Sequence, residues 1–127
     1  MAVKVEYSQG LDEAGNAAEL ESILDTRRSQ GLSEFWISPV DSPHPAIALL
    51  VNGELSVLCY FPRENHAGFI SSTNVSSAGT TAFRIDSAGE STEFSNAVVL
   101  PFSTALTVAK EFFASSELPK SIEWLEL

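Results

Sequence analysis

The residues best suited to catalysis in this chain are one cysteine, Cys59, and two histidines, His44 and His66. A catalytic thiol needs a basic neighbour that lowers its pKa, and no spacing in the sequence brings either histidine to Cys59. The cysteine lies inside the apolar run 55–61, which predicts a small buried side chain. His44 stands between two prolines in a loop and His66 follows a polar turn, so neither shows the spacing of a metal ligand.

Carboxylates are abundant, because 17 Asp and Glu stand against 7 Lys and Arg. None of them has the apolar setting that would raise its pKa for acid catalysis. The chain also lacks a phosphate-binding loop, a dinucleotide fingerprint, paired CxxC motifs, an HExxH motif and a GxSxG elbow. The sequence therefore predicts a protein that is not an enzyme and uses no cofactor or metal. An enzyme that uses His66 with a nearby carboxylate is the catalytic alternative.

The net charge of −10 restricts the partners. Nucleic acids and anionic membranes attract Lys and Arg, so neither is an expected partner. The charge is shared evenly, with 9 acids and 4 bases in residues 1–63 and 8 acids and 3 bases in residues 64–127, so it belongs to a folded surface rather than to a tail. The N-terminus lacks the apolar segment of a secretory signal and no apolar stretch approaches about 18 residues, so we expect a cytoplasmic protein.

The length of 127 residues and the hydrophobic content of 44% predict one folded domain over residues 1–127. Alternating valines near the N-terminus predict a first strand, which the glycine-containing segment 10–16 ends. Apolar spacing from Ala17 predicts a helix with Asn16 as its N-cap and Gly31 just past its end.

The middle of the chain predicts β-structure. The most specific sign is Asn52-Gly53 between two apolar runs, because this dipeptide favours a two-residue hairpin turn in which both positions have positive φ. The strands predicted in this region are 35–37, 46–51, 55–61, 68–73, 80–86 with 91–94 pairing back, and 97–100.

A second amphipathic helix is predicted near the C-terminus. Its apolar stripe runs from Ala105 to Phe113 at helical spacing, with Ser103 as the cap, and a last strand follows with Trp124 in the core. The element order is β-α-β-β-β-β-β-α-β. We therefore expect an α+β fold, in which a single curved antiparallel β-sheet, built as a meander, carries two helices on one face.

The C-terminal third has a recognisable pattern: Ala-Lys-Glu-Phe-Phe-Ala-Ser at 109–115, then Leu118-Pro119, then Ile-Glu-Trp at 122–124. A closing amphipathic helix with a late Phe, a Pro beyond it and a Trp-containing last strand resembles the first-numbered immunity-protein family of bacterial polymorphic toxin systems. The segment 68–100 is similar as well, with its Ser/Gly-rich loop, aromatic strand and Gly-Glu turn. The likeness covers residues 54–127 and is strongest to immunity proteins paired with double-stranded-DNA cytosine deaminase toxins.

This resemblance implies an inhibitor that acts in competition between bacteria. It would bind a cognate toxin domain, a nucleic-acid deaminase, in a 1:1 complex and occlude the basic substrate-binding cleft. The family-pattern residues Phe112, Phe113, Pro119 and Trp124 are then residues of the fold rather than of the contact.

The contact residues are predicted from charge. Acidic residues in the β-rich middle, opposed there only by Arg63 and Arg84, are the expected partner contacts. They are Asp41, Glu54, Glu64, Asp86, Glu90 and Glu93. Phe69 is the expected aromatic contact, and Tyr60 and Phe94 are further exposed candidates; each of the three could equally belong to the core.

Two alternatives to a deaminase inhibitor remain at this point. One is immunity to a nuclease toxin. The other is a small acidic ligand-binding or scaffold domain without a toxin partner, whose acidity serves solubility. That domain would have a concave pocket between sheet and helix.

Overall fold

The computed structural model describes residues 2–7, 10–28, 32–72, 78–85 and 90–127. These residues contain ten β-strands and two α-helices. The strands are β1 (Val3–Tyr7), β2 (Gly10–Ala14), β3 (Leu32–Pro39), β4 (Ala46–Asn52), β5 (Leu55–Phe61), β6 (Phe69–Ser72), β7 (Thr80–Ile85), β8 (Glu90–Ser95), β9 (Leu100–Pro101) and β10 (Glu123–Glu126). The helices are α1 (Ala17–Arg28) and α2 (Phe102–Ser115). The predictions made for Gly31 and Asp86 lie outside the described residues, as do residues 87–89 between the two strands predicted at 80–86 and 91–94, and the side chain of Glu90 lies outside them too.

Eight strands form one antiparallel sheet. Its main path runs β10-β6-β5-β4-β3-β1-β2, and β9 pairs with the start of β5. The hairpin-connected strands β3, β4 and β5 occupy the centre, while β2 and β10 form the two edges. Strands β7 and β8 pair only with each other among the described residues and form a separate two-stranded sheet.

Both helices pack on one face of the large sheet. Period-two alternation turns Phe35 and Ile37 of β3 to that face, where both are fully buried. Phe112 of α2 is fully buried above them, and its ring meets the Tyr60 ring edge-to-face with centroids 6.0 Å apart. This layer of helices on sheet is the main core.

The β7–β8 hairpin covers one end of the opposite face. Phe83 of β7 is fully buried there against Leu50 and Val57. The Asn52 side chain donates a hydrogen bond from Nδ2 to the carbonyl of Ala82, at 2.9 Å. Within the described ranges, no helix or hairpin covers the other end of this face, which bears the ends of β3 and β5.

The α+β class is confirmed, since a mostly antiparallel open sheet carries two helices. The start of α1 is also confirmed: Asn16 Oδ1 accepts a hydrogen bond from the Glu19 N–H at 2.9 Å. Glu19 Oε1 accepts in return from the Gly15 N–H at 2.6 Å, an arrangement close to a capping box. Within the described ranges, no helix has the length and apolar content needed to cross a membrane.

The predicted hairpin exists, but its turn lies one residue further along the chain. Asn52 pairs with Leu55, so the two loop residues are Gly53 and Glu54. Gly53 has φ +60° and Glu54 is not in the positive-φ region, as expected for a type II′ turn with Gly first. Asn52 remains in the strand because its side chain is bonded to the β7–β8 hairpin.

Three other local predictions are wrong. The segment 10–16 does not simply end the first strand, because its first part forms β2 and pairs with β1. The predicted strand 97–100 is largely a short 3₁₀ helix, and only Leu100–Pro101 pairs with β5. Ser103 does not cap the second helix but lies inside it, because the helix begins at Phe102 with Pro101 at the N-cap position. The first N–H of the helix, on Phe102, donates to the Glu54 carbonyl at 2.7 Å.

Candidate partner-binding surface

A pair of stacked aromatic rings lies on the end of the sheet that none of the described helices or hairpins covers. Trp36 of β3 and Phe61 of β5 have centroids 5.4 Å apart and ring planes inclined by 24°. The two strands are about 10 Å apart. The rings meet because the strand between them carries alanines at this point, Ala48 opposite Trp36 and Ala46 opposite Phe61. Trp36 is still 39% exposed, so a large apolar ring faces solvent near the middle of the sheet.

The loop after β5 holds Phe61 in this stack. Gly68 has φ +94°, and a Cβ on it would lie 2.7 Å from the Phe61 ring and 3.0 Å from the Tyr60 carbonyl oxygen. Only glycine lets the backbone press so closely against the ring. The Gly68 carbonyl accepts a hydrogen bond from the Leu127 N–H at 2.9 Å, which ties this loop to the residue after β10.

A depression of about 240 Å³ lies beside the exposed Trp36 ring. It is lined by Lys4, Glu6, Trp36, Ser38, Pro43, His44 and Ala46. The strand register accounts for the charged members, because Glu6 pairs with Trp36 and Lys4 pairs with Ser38. The volume is below the roughly 300–1,000 Å³ typical of small-ligand sites, and the depression lies on the face away from the helices, so it suits a protruding partner side chain better than a free ligand.

The register also places one residue of each strand of this face in a single row, in which Ala48 is buried and Cys59 and Ile70 are partly buried. The row crosses every strand of the main path as Leu125, Ile70, Cys59, Ala48, Trp36, Glu6 and Leu11. Leu125 is 51% exposed and Leu11 is 56% exposed. We call Leu11, Trp36, Phe61 and Leu125, together with the exposed carboxylate of Glu6, the Trp36 face.

The predicted acidic contacts are divided between the two ends of the molecule. Asp41 follows β3 and Glu64 follows β5, so both are exposed at the end where the Trp36–Phe61 stack lies. Glu54 is exposed in the β4–β5 turn at the opposite end. Glu93 is exposed on the hairpin that packs at that same end, where its carboxylate accepts a hydrogen bond from the Thr80 hydroxyl at 2.9 Å. The structure therefore brings Asp41 and Glu64 to one end and Glu54 and Glu93 to the other.

The aromatic candidates lie deeper than Trp36. Tyr60 is buried at 6% exposure, so of the two placements that the sequence left open it has the one in the core. Phe69 is half-buried between Tyr60, at a centroid distance of 6.2 Å, and His66, at 5.4 Å. Phe94 is half-buried against Phe83.

Trp36 is the surface residue that sequence reasoning missed. The available sign was alternation: Trp36 lies between two residues of β3 that point into the main core, so a strand must turn it to the opposite face. That sign shows which face Trp36 occupies, but not that the face is uncovered at this position.

The His66 side chain stabilises the loop after β5 through a hydrogen bond and is not available as a catalytic base. Its Nδ1 accepts a hydrogen bond from the Gly68 N–H at 2.8 Å, so the neutral ring carries its proton on Nε2. Nε2 lies 3.8 Å from the Glu126 carboxylate, and the ring is stacked on Phe69. The lone pair that a general base would use is therefore engaged by the backbone.

Cys59 is partly buried rather than fully buried, and it packs against the cluster formed by Leu50, Val57 and Phe83. Burial raises the pKa of its thiol from 9.0 to about 11, and the negative charge of Glu34 adds to the rise. A thiol of this kind is a weak nucleophile near neutral pH. Burial, and to a smaller extent the charge of Glu117, also raises the pKa of Tyr60. No group of three or more His, Cys, Asp and Glu is arranged to hold a metal ion in the described part of the chain.

Comparison with known proteins places the chain in a family. The model of the family described as Immunity protein Imm1 matches residues 12–126, which extends the likeness well before the predicted residues 54–127. A curated relative, the double-stranded DNA deaminase immunity protein of Burkholderia cenocepacia (strain H111), is 25% identical over 124 residues, which cover 95% of this chain and 99% of the relative. Because the family model covers the chain from within β2 to the end of β10, including both helices, this chain belongs to the Imm1 family of immunity proteins.

Proposed function

We propose that this immunity protein neutralises a nucleic-acid deaminase toxin in the cytoplasm, by covering the toxin's basic substrate-binding cleft in a 1:1 complex. The observation that carries this proposal is the full-length alignment with a relative named as an immunity protein against a double-stranded DNA deaminase. The alignment covers 95% of this chain and 99% of the relative, so the likeness is not confined to one shared segment.

The acidic surface supplies the physical reason. An enzyme that acts on DNA meets the phosphates with Lys and Arg, so its cleft is basic. A folded protein with a net charge of −10 is attracted to the same groups. Charge complementarity also raises association rates, up to about 10⁸–10⁹ M⁻¹ s⁻¹ at low salt, which suits an inhibitor that must reach the toxin before DNA does.

The proposed contacts are those predicted from charge and aromaticity: Asp41, Glu54, Glu64, Asp86, Glu90, Glu93 and Phe69. The four acids whose side chains are described lie in two pairs at opposite ends of the sheet. The eight residues of β3 span about 26 Å, so one cleft meets both pairs only if it contacts the full length of the sheet. Reversing the charges of each pair separately therefore identifies the end that faces the cleft.

The test is a titration of toxin activity. A toxin domain encoded by a reading frame next to that of this protein is first identified and purified. It is then mixed with increasing amounts of this protein, and cytosine conversion is followed in double-stranded DNA. We expect activity to vanish at one equivalent, and a higher DNA concentration to weaken the inhibition because the two compete. Full activity in the presence of excess protein would contradict the proposal. Inhibition of a neighbouring toxin that cuts DNA would replace the deaminase by a nuclease as the target.

A further inference from the structure

We infer that the Trp36 face is the surface that docks on the toxin domain, with the Trp36 ring as the anchor buried at the centre of the contact. The inference rests on the proposed function for the identity of the partner. It also says where on the molecule the toxin binds, which the acidic residues alone do not define because they lie at both ends of the sheet.

The first support is the state of the Trp36 ring. Tryptophan is among the residues that contribute most to binding when they are buried at the centre of an interface. Here the ring is 39% exposed yet fixed in place, because it stacks on Phe61 and lies over two alanines of β4. Phe61 is in turn held by Gly68. A ring that is already positioned loses little conformational freedom when a partner covers it.

The second support is the size of the face. The row from Leu125 to Leu11 crosses six strand intervals, which at about 4.8 Å each makes it about 29 Å long. A standard interface of about 800 Å² on each partner corresponds to a disc roughly 32 Å across. Trp36 lies near the middle of that length, and the depression beside it can receive a partner side chain.

The third support is charge. At the Trp36 end, the exposed carboxylates on the face and in the loops that border it are Glu6, Glu13, Asp41 and Glu64. The basic residues described there are Lys4 and Arg63. An apolar centre with an acidic surround fits a basic protein surface. It does not fit a second copy of this chain, because a symmetric contact would bring like charges together.

The experiment compares Trp36→Ala with Leu32→Ala. Leu32 is a matched control because it lies on the same strand and the same face, is 37% exposed, and lies about 13 Å away at the end where the hairpin packs. The probe is a catalytically inactive form of the neighbouring toxin's deaminase domain. We expect Trp36→Ala to weaken binding by about 30-fold or more, mainly through faster dissociation, and Leu32→Ala to change it by less than about threefold.

A second measurement does not depend on the alanine variant being stable. The chain has two tryptophans, so Trp124→Phe leaves Trp36 as the only one. We expect its emission to shift to shorter wavelength and its quenching by acrylamide to fall when the toxin domain binds. If Trp36 lies far from the contact with the toxin domain, neither its emission wavelength nor its quenching should change.

The outcomes separate this inference from the proposed function. The inference is overturned if the wild type binds the toxin domain, Trp36→Ala binds it equally well, and the emission of Trp36 does not change on binding. The proposed function still stands in that case. A wild type that does not bind the toxin domain refutes the proposed function and the inference with it. A free protein that sediments as a dimer, becomes monomeric on Trp36→Ala and still binds the toxin assigns the face to a second copy and also overturns the inference.

Discussion

Replacing Gly68 with alanine should weaken the fold and disturb the Trp36 face at the same time. The new Cβ would lie 2.7 and 2.8 Å from two carbons of the Phe61 ring and 3.0 Å from the Tyr60 carbonyl oxygen. Carbon atoms do not approach so closely, so either the loop or the Phe61 ring must move. Movement of that ring removes the support of Trp36, which stacks on it.

The magnitude follows from two separate effects. A φ of +94° is unfavourable for alanine by about 1–2 kcal/mol. Crowding against the Phe61 ring adds about 1–3 kcal/mol, so the free energy of unfolding should fall by about 2–5 kcal/mol. Unfolding entropy of about 2.1 cal/mol/K per residue makes each kcal/mol worth about 4 °C in a chain of this length, so we expect Tm to fall by about 8–20 °C.

Gly53→Ala is the matched control. Gly53 also has positive φ, at +60°, but nothing lies within 4 Å of a Cβ placed there. It should therefore lose only the backbone part, about 1–2 kcal/mol or about 4–8 °C. Thermal unfolding followed by circular dichroism measures both variants, and the near-ultraviolet spectrum reports the stacked rings. Equal losses for the two variants would refute the packing of Phe61 against Gly68.

Three further outcomes are expected. Phe112→Ala should lower the free energy of unfolding by about 3–5 kcal/mol in chemical denaturation, because the ring is fully buried in the main core. Iodoacetamide should alkylate Cys59 at pH 8 about 100-fold more slowly in the folded than in the urea-unfolded protein, because a pKa of about 11 leaves far less thiolate than a pKa of 9.0. Lysine at both Asp41 and Glu64, which border the Trp36 face, should slow association with the toxin about tenfold at low salt, and lysine at both Glu54 and Glu93, at the opposite end, should slow it much less.

A specific result would contradict each of these three predictions. A loss below about 1 kcal/mol for Phe112→Ala would mean that the helix is not packed as described. Alkylation of Cys59 at the unfolded rate would mean that the thiol is not buried. The pKa of Cys59 also determines how the free energy of unfolding depends on pH. Because the folded state favours the protonated thiol, the contribution of Cys59 to stability is complete below about pH 9 and is lost as the pH rises toward about 11. A larger kinetic effect from the Glu54 and Glu93 pair than from the Asp41 and Glu64 pair would place the contact at the other end of the sheet.

The elements that could be predicted from sequence are those set by local patterns. The apolar face of α2 could be predicted because residues three and four apart lie on the same face of a helix. The residues Ala105, Val108, Ala109 and Phe112 are all buried, as expected. The Asn16 cap was readable because its hydrogen bond spans only three residues.

The errors come from contacts that are distant in sequence. The hairpin turn is displaced by one residue because Asn52 bonds to Ala82, which is 30 residues away. Strand β2 forms despite its glycine because β1 offers a full pairing edge. The first N–H of α2 is satisfied by the Glu54 carbonyl of a distant turn rather than by a local serine.

The candidate surface depends even more on long-range arrangement. The acids were predicted as one group because all lie in the β-rich middle, but antiparallel strands send consecutive turns to opposite ends of a sheet. Asp41 and Glu54 follow successive strands and therefore lie at opposite ends. The exposure of Trp36 depends on where the β7–β8 hairpin ends, which no pattern around Trp36 encodes.

The claim that this immunity protein covers the toxin's substrate cleft is tested most directly by competition with DNA. The affinity of the protein for the catalytically inactive deaminase domain is measured at increasing concentrations of double-stranded DNA, with salt held constant. We expect the apparent Kd to rise in proportion to the DNA concentration, and no complex to contain all three molecules. An unchanged Kd together with a stable ternary complex would contradict occlusion of the cleft.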